Sequence, residues 1–319
     1  MIENKKVLII GDVILDVWTY AKAVGLSLET PTLKAQLTEK KHTFGGAGNV
    51  VKNLYELGAQ TTFLTLLGDD DTLNIYEQLN SKWVENFIPI IEKNRKNIVK
   101  ERYWIERGGS TYKHLQINTI DNEAIKSDSI TKAMSKLDEV LKENFDVILL
   151  IDYRHGLFTG EFLKTILPKL KKTKIPIMVN SQISDYGRGL KSNHKRFKGV
   201  DLIVMNKLEA EHHLDRQYEM ESDLPGFFDS NICVTSGRGG STIYFSFDES
   251  YHQDVIDIEE VDPCGAGDSF ISALSLTNWK DYPEQSLFIS NCWAGLSVQN
   301  HGTVCPNFDE LKPYLEKLV

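Results

Sequence analysis

The chain lacks several features that would place it in familiar classes of protein. No apolar run approaches the roughly 20 residues of a membrane-spanning helix, and the apolar segment 7–10 begins without a signal-peptide pattern before it. The four cysteines match neither CxxC nor a Cys/His zinc spacing, so we expect free thiols in a reducing cytoplasm. Positive charge is also scarce, because 36 Lys and Arg face 45 Asp and Glu, a net charge of −9. That balance argues against general nucleic-acid binding and against electrostatic attachment to a membrane.

Short β-branched segments alternate with amphipathic segments along most of the chain. With 319 residues, 41% apolar and 25% charged, the composition is that of a globular protein with a sizeable core. Strands separated by helices form parallel sheets covered on both faces, so we predict an α/β fold with a central, mostly parallel sheet. The predicted strands span residues 7–10, 62–66, 147–151, 175–179, 202–205, 232–235, 242–247 and 255–258. The predicted helices span residues 49–57, 72–80, 130–143, 160–170, 208–214, 265–276, 284–300 and 308–318.

Two extended regions interrupt this alternation. Residues 33–38 lie between the first strand and the first long helix, and residues 98–105 and 112–120 flank an RGGS turn as a plausible hairpin. We expect these pieces to form a small second sheet, a candidate lid that uses residues of about 17–43 and 97–120. Its open edges need cover, and pairing with a second subunit would supply it. No linker is evident, so residues 1–319 are interpreted as one domain.

The segment GAGD, residues 265–268, precedes an apolar helical stretch and carries the strongest chemical signal. A glycine-rich loop that opens a helix presents unpaired amides and the positive end of the helix dipole, which suits an anion. A carboxylate there makes sense if Asp268 removes a proton from an attacking hydroxyl while the amides stabilise a transferring phosphoryl group. The alternative is a plain helix start with Asp in its first turn.

Five short motifs occur in a fixed order along the chain. They are GDVILD at 11–16, GGAGN at 45–49, NKLE at 206–209, TSGRGG at 235–240 and GAGD at 265–268. Together they resemble the motifs of the ribokinase-like (PfkB-type) carbohydrate kinases over essentially the full chain. Within that family the chain is most similar to the stand-alone kinases of the bacterial heptose pathway, which phosphorylate C1 of D-glycero-D-manno-heptose 7-phosphate and supply surface-polysaccharide precursors. DYRHG at 152–156 and HGTV at 301–304 add to that similarity.

The resemblance implies a ribokinase-like three-layer sandwich with a small β-sheet lid. It further implies a cytoplasmic enzyme that uses ATP and Mg²⁺ to phosphorylate a small sugar or sugar phosphate. A homodimer through the lid sheet is expected, and neither a nucleic acid nor a membrane is expected as a partner.

The resemblance also assigns the catalytic and sugar-binding residues. Asp268 would be the general base, and the amides of Gly265, Ala266 and Gly267 would hold the phosphoryl charge. The sugar contacts would be Asp12, Asp16, Gly45, Gly46 and Asn49. From the residues alone, Asp12 could equally cap a turn, and Asn49 could serve as a helix N-cap.

The nucleotide side has its own implied residues. Asn206 and Glu209 match an NxxE element that holds Mg²⁺ through water, although the same four residues could be purely structural. The residues implied to surround ATP are Thr235, Gly237, Gly240 and Asn291. Asp262, with Gly302, matches positions where relatives bind a monovalent cation, which leaves K⁺ open as a further cofactor.

Binding the phosphate group of a sugar phosphate requires positively charged side chains. Lys100 and Arg102 alternate on one predicted strand, so both would face the pocket from the lid. Further basic candidates near strand ends are Arg154, His155, Arg188 and Lys191.

Several positions depart from the heptose-kinase pattern. Residues 25–31, GLSLETP, lack the arginine of the related stretch, and Asn180 to Gln182 replace an Asp-Pro-Lys. Gln116 stands where an arginine is expected, and Cys264 replaces a hydroxyl residue of the anion loop. The missing charged residues bear on which acceptor the protein uses more than on which reaction it catalyses.

Two alternatives therefore stay open. One is a kinase of the same fold for another sugar or a nucleoside, and the other is a non-catalytic subunit that senses a sugar or nucleotide. An oxidoreductase is disfavoured because no GxGxxG follows the first strand.

Overall fold

A nine-stranded sheet forms the centre of the molecule. The structure, a computed structural model, describes residues 2–183, 192–214 and 221–318. Within these ranges the large sheet contains β1 (Lys6–Gly11), β4 (Gln60–Gly68), β5 (Asn86–Glu92), β8 (Val147–Asp152), β9 (Ile177–Ser181), β10 (Leu202–Asn206), β11 (Asn231–Thr235), β12 (Ser241–Tyr244) and β13 (Ser250–Gln253). Their spatial order is β13-β12-β11-β10-β9-β8-β1-β4-β5. All neighbours from β5 to β11 pair in parallel, and only β12 and β13 are antiparallel additions at one edge. The predicted mostly parallel sheet is confirmed.

Helices cover both faces of this sheet. They are α1 (Ala47–Glu56), α2 (Leu73–Trp83), α3 (Ser127–Val140), α4 (Gly160–Lys172), α5 (Lys207–His213), α6 (Leu224–Phe228), α7 (Ala266–Ser275), α8 (Pro283–Ser297) and α9 (Phe308–Leu315). Side chains alternate across a strand, so Val7 and Ile9 of β1 pack with α1, α7 and α8, while Leu8 and Ile10 pack with α3, α4 and α6. Two apolar cores on opposite faces therefore hold three layers together.

A separate four-stranded sheet has the order β3-β2-β6-β7. It consists of β2 (Val13–Leu26), β3 (Leu33–Gly46), β6 (Val99–Arg107) and β7 (Ser110–Thr119). Only Asp12 separates β1 from β2, so the small sheet continues directly from the central strand of the large one. β7 forms an edge that is exposed along its whole length. The second, smaller sheet expected from the sequence is confirmed, with strands longer than predicted.

Some elements differ from the sequence prediction. The predicted strand at 255–258 is wrong, because these residues pair with no strand and the last strand of the edge hairpin is β13 instead. The apolar residues of this segment line a cavity instead: Ile256 and Ile258 face it beside α8. The sequence prediction also omitted β2, in which polar residues interrupt the apolar pattern, β5, which contains Pro89, and the short helix α6.

Two smaller observations concern the whole chain. None of the helices in the described ranges is both long and apolar enough to cross a membrane. All four cysteines are free thiols, as their spacing predicted.

Candidate active site

The segment that opens α7 is a tight, left-handed turn followed directly by the first turn of the helix. Gly265 has φ 89° and precedes the first helical residue, and the Ala266 amide donates to the Pro263 carbonyl at 3.2 Å. A Cβ at Gly265 would lie 2.8 Å from the Asn49 amide nitrogen, so only glycine suits this position. Space next to Gly267 is open. First-turn amides have no partner within their helix, so this turn can hold an anion.

Asp268 lies in the first turn of α7 and lines a cavity of about 510 Å³. Its side chain accepts two hydrogen bonds, from Asn49 Nδ2 at 3.0 Å and from the Tyr153 hydroxyl at 2.6 Å. The residue is only 3% exposed, and burial raises the pKa of its carboxyl to about 6, although both hydrogen bonds act in the opposite direction. A carboxylate with this pKa is ionised at neutral pH and can accept a proton.

An ion pair lies in the wall of the same cavity. Asp16 Oδ1 lies 2.5 Å from Arg102 Nη1, and both side chains line the cavity together with Lys100, Gly45 and Gly46. A Cβ at Gly45 would collide with the Asp16 carboxylate, which explains the glycine. Lys100 is the exception among the charged groups, because no ion pair or hydrogen bond holds it within the described ranges. Burial lowers the pKa of its ammonium.

Asp12 and Asn49 lie behind this cavity. Asp12 lines a different cavity, of about 10 Å³, and its Oδ2 accepts hydrogen bonds from the amides of Tyr153 at 2.9 Å and His155 at 3.2 Å. Burial and the neighbouring Asp152 raise the pKa of Asp12 to about 7. Asn49 is fully buried and donates to Asp268. Both residues therefore support the site from behind.

Asn206 and Glu209 form a capping box at the start of α5. The Asn206 side chain accepts from the Glu209 amide at 2.9 Å, and Glu209 Oε2 accepts from the Asn206 amide at 2.8 Å. Both residues also line the 510 Å³ cavity, and burial raises the pKa of Glu209 to about 7. The element thus combines its structural role with a carboxyl group that faces the ligand space.

A second, more apolar cavity of about 160 Å³ adjoins the first. The four residues that the resemblance assigns to ATP all line it: Thr235, Gly237, Gly240 and Asn291. The residues that line both cavities are Thr235, Pro263, Ala266 and Gly267. The two spaces therefore meet at the turn that precedes Asp268.

The Asn291 side chain anchors the edge hairpin to α8. Its oxygen accepts from Ser241 Oγ at 2.9 Å, and its Nδ2 donates to the carbonyls of Gln253 and Asp254 at 2.9 and 3.3 Å. With these contacts made, Asn291 shapes the apolar cavity more than it offers polar groups to a ligand.

Asp262 ties two loops together. Its Oδ1 accepts from the Cys264 amide at 3.0 Å and its Oδ2 from the Gly302 amide at 2.8 Å. The two positions matched to a monovalent-cation site are thus in contact with each other.

The basic candidates have separate locations. Arg154 has a positive φ of 67°, and neither its Nη1 nor the Nε2 of His155 has a hydrogen-bond partner in the described part of the chain. Arg188 and Lys191 lie outside the described residues. Gln116 sits directly opposite Arg102 in the β6–β7 register and donates to Asn118 at 3.0 Å.

Sequence reasoning missed the role of Tyr153. The residue was recognised only as part of DYRHG, yet its hydroxyl contacts Asp268 and it lines the larger cavity. Its position directly after β8, at the carboxyl end of a parallel strand, was the available signal. Asn180 and Gln182, noted only as departures from a pattern, also line this cavity.

Comparisons with known proteins give one family and one type of fold. A family model described as pfkB family carbohydrate kinase matches residues 4–309. Two relatives named bifunctional protein HldE are 27% identical over 328 residues (Campylobacter curvus) and 28% identical over 327 residues (Campylobacter concisus). Each alignment covers 99% of this chain, which spans 66% and 65% of those proteins, just under two thirds of their length.

Solved structures of similar fold include two sugar-kinase structures. Phosphofructokinase-2 from Escherichia coli in complex with potassium gives a TM-score of 0.75 at 16% identity, covering 100% of this chain and 99% of that chain. Ribokinase from Arabidopsis thaliana complexed with ribose and ATP gives 0.68 at 14% identity, covering 98% and 99%. The ribokinase-like fold predicted from the motifs is confirmed.

Proposed function

The chain belongs to the pfkB family of carbohydrate kinases, and we propose that it transfers the γ-phosphoryl group of ATP to a hydroxyl group of a sugar phosphate. The observation that carries this proposal is the junction of the two cavities at the start of α7. An acceptor in the larger cavity and a nucleotide in the apolar one would meet beside Asp268.

The chemistry assigned to the chain is positioning, proton removal and charge stabilisation. Asp268 takes the proton from the acceptor hydroxyl, and its pKa of about 6 suits a base that works near neutral pH. The amides of Gly265 and Gly267 stabilise the negative charge on the transferring group, while the Ala266 amide, which donates to the Pro263 carbonyl, holds the turn in place. The apolar wall around Ile256 and Ile258 suits a nucleobase. Closure of the small sheet over the acceptor would exclude water.

Mg²⁺ is the metal that such a reaction uses, and the residues present fit it. Glu209 offers a buried carboxyl group that lines the cavity. Burial raises its pKa, and a cation bound nearby would lower that pKa again by stabilising the charged form. We assign Glu209, supported by Asn206, to hold the ion through water. When bound, Mg²⁺ neutralises phosphate charge.

The acceptor that we propose is D-glycero-D-manno-heptose 7-phosphate, phosphorylated at C1. The motif resemblance and the similarity to the HldE proteins support it. Asp16 would accept hydrogen bonds from sugar hydroxyls, and the unpaired Lys100 would bind the acceptor's phosphate. Asp12 would act indirectly, by holding the turn at 153–155.

One observation favours a second candidate, a kinase of this fold for a less charged sugar or a nucleoside. Arg102 is already paired with Asp16, and Asn180 and Gln182 add no charge to the cavity. A panel of acceptors with ATP and Mg²⁺, followed by ADP release and product analysis, separates the candidates. Turnover of the heptose phosphate well above all others supports the first, and preference for an unphosphorylated acceptor supports the second. Binding of sugars with no transfer to any acceptor would identify a sensing subunit.

Two further features belong to this proposal. Apolar side chains stay exposed on the small sheet, including Leu37 at 60% and Leu115 at 53%, which supports a homodimer through this sheet. A K⁺ site at Asp262 and Gly302 is proposed from the motif resemblance, and the hydrogen bond between the two residues brings these positions together. Light scattering tests the homodimer. Activity measured with K⁺ replaced by a larger cation tests the K⁺ site. The free thiols support a reducing cytoplasm as the location.

A further inference from the structure

The Tyr153 hydroxyl makes the shorter of the two hydrogen bonds to the Asp268 carboxylate. It donates to Asp268 Oδ1 at 2.6 Å, while Asn49 holds the other oxygen at 3.0 Å. The tyrosine lines the larger cavity beside Asp268, and a Cβ at Gly46 would touch its ring at 3.4 Å. Two donors from different elements, one after β8 and one on α1, thus fix the orientation of the carboxylate.

The turn that carries Tyr153 is itself held in place. Its amide donates to Asp12 Oδ2 at 2.9 Å, and the His155 amide donates to the same oxygen. Arg95 Nη2 donates to the His155 carbonyl at 2.8 Å, and Arg95 Nη1 pairs with the buried carboxylate of Glu92 at 3.2 Å. Because this backbone is anchored on both sides, the ring of Tyr153 has a defined position.

The hydroxyl acts on Asp268 as a donor. Burial, followed by the charge of Asp268, raises the pKa of Tyr153 well above its ordinary value, so the phenol keeps its proton. A hydrogen bond donated to a carboxylate favours the charged form. The other groups that act on Asp268 are the Asn49 amide, the cations Lys100 and Lys52, the carboxylate of Asp16 and the thiol of Cys264.

We propose that Tyr153 is a positioning residue for phosphoryl transfer, which orients the Asp268 carboxylate toward the acceptor hydroxyl and favours its ionised form. The inference rests on the proposed function, because it assigns a reaction to Asp268. It also explains why the DYRHG turn lies against β1: Asp12 orients the turn, the turn orients the phenol, and the phenol orients the base.

The test compares Tyr153→Phe with Tyr76→Phe. Tyr76 is also buried, and its hydroxyl donates to the Ile98 carbonyl at 2.5 Å, so the control removes a buried hydroxyl from a different hydrogen bond. In Y153F we expect kcat to fall about 10-fold and the acidic limb of the kcat/KM profile to move up by about 1 pH unit. KM for ATP should stay the same. In Y76F the midpoint of thermal unfolding should fall, with no movement of the acidic limb.

A second measurement does not depend on turnover. Aspartate carboxyl carbons labelled with ¹³C are titrated by NMR, and the resonance that disappears in Asp268→Asn reports on this residue. An upward shift of its midpoint in Y153F, and none in Y76F, supports the proposal; equal midpoints in wild type and Y153F overturn it. If wild type phosphorylates no acceptor, the proposed function fails, while this titration still decides whether Tyr153 controls the charge of Asp268.

Discussion

The carboxylate of Asp16 lies 2.5 Å from the guanidinium of Arg102, inside a cavity that both side chains line. The Arg102 guanidinium also lies 4.9 Å from the centre of the Trp18 ring. The charges of Asp16 and Arg102 therefore have their main partners within the protein. In the described part of the chain, Lys100 is the cation of this cavity that stays available to an anionic ligand.

The first prediction concerns this lysine. Lys100→Met should raise KM for a phosphorylated acceptor about 10- to 100-fold, because it removes one charge-assisted hydrogen bond to the phosphate. KM for ATP should stay nearly unchanged. Steady-state kinetics with each substrate varied in turn measures both values. Lys113→Met, an exposed lysine on β7 of the same sheet, is the control and should behave as wild type. An unchanged acceptor KM in K100M would remove Lys100 from the phosphate site.

The second prediction concerns the proposed base. Asp268→Asn should lower kcat by about 10²- to 10⁴-fold, the usual contribution of general-base catalysis, because an amide cannot take the acceptor's proton. The affinity for ATP, measured by calorimetry, should stay nearly unchanged. Asp248→Asn, in an exposed loop, is the control for loss of one negative charge. A D268N variant as fast as wild type would end the assignment.

The third prediction concerns the turn before α7. Gly265→Ala should lower the free energy of unfolding by about 1–3 kcal/mol, because the residue has φ 89° and its new methyl group would meet Asn49. Gly267→Ala is the matched comparison, since space is open there and its unfolding free energy should hardly change. Denaturant unfolding of both variants measures the difference. Equal destabilisation would mean that the left-handed turn is not the reason for Gly265.

The fourth prediction concerns pH. Burial raises the pKa of Asp12 and Glu209 to about 7 and of Asp268 to about 6. Such acids bind protons more tightly in the folded chain, so their stabilisation is complete below the unfolded pKa of about 4 and is lost progressively as pH rises to the folded values of about 6 to 7. His155 and His194 have the opposite effect below about 6.5, since burial lowers the pKa of both to about 3.

Thermal unfolding between pH 5 and 8.5 measures the result of these opposed effects. The unfolding temperature should increase from pH 8 down to about 6.5 and then level off or fall as the histidines become the limiting groups. Asp12→Asn should flatten the upper part of this profile. Stability that rises steadily from pH 6.5 to 8 would contradict the raised pKa values.

Much of the fold follows from local pattern. Most strands of the parallel core are continuous apolar runs and most of the helices have amphipathic spacing, so these were predicted within a few residues of their ends, whereas the parallel strand β5 and the short helix α6 were not predicted. Strand β2 was missed because residues such as Asp16 and Lys22 interrupt its apolar pattern, and its partners β3 and β6 are distant in the chain. Pairing of that kind is a tertiary property.

The candidate site divides in the same way. Motif order selected the turn at Gly265, the carboxyl group of Asp268 and the element from Asn206 to Glu209, and the structure places all of them around one cavity. Sequence reasoning did not predict that Arg102 is paired or that Tyr153 contacts Asp268. Those contacts join residues 86 and 115 positions apart.

The amino-acid sequence by itself therefore determined the parallel core, the small second sheet and the family, because these depend on local periodicity and on short motifs in a fixed order. Only the tertiary structure decided which polar groups remain available to a ligand. Asp12 points its carboxylate at backbone amides and Arg102 pairs with Asp16, whereas Lys100 lines the cavity with no such partner among the described residues. The physical reason is that a buried polar group takes the nearest satisfying partner, and the fold brings that partner from elsewhere in the chain.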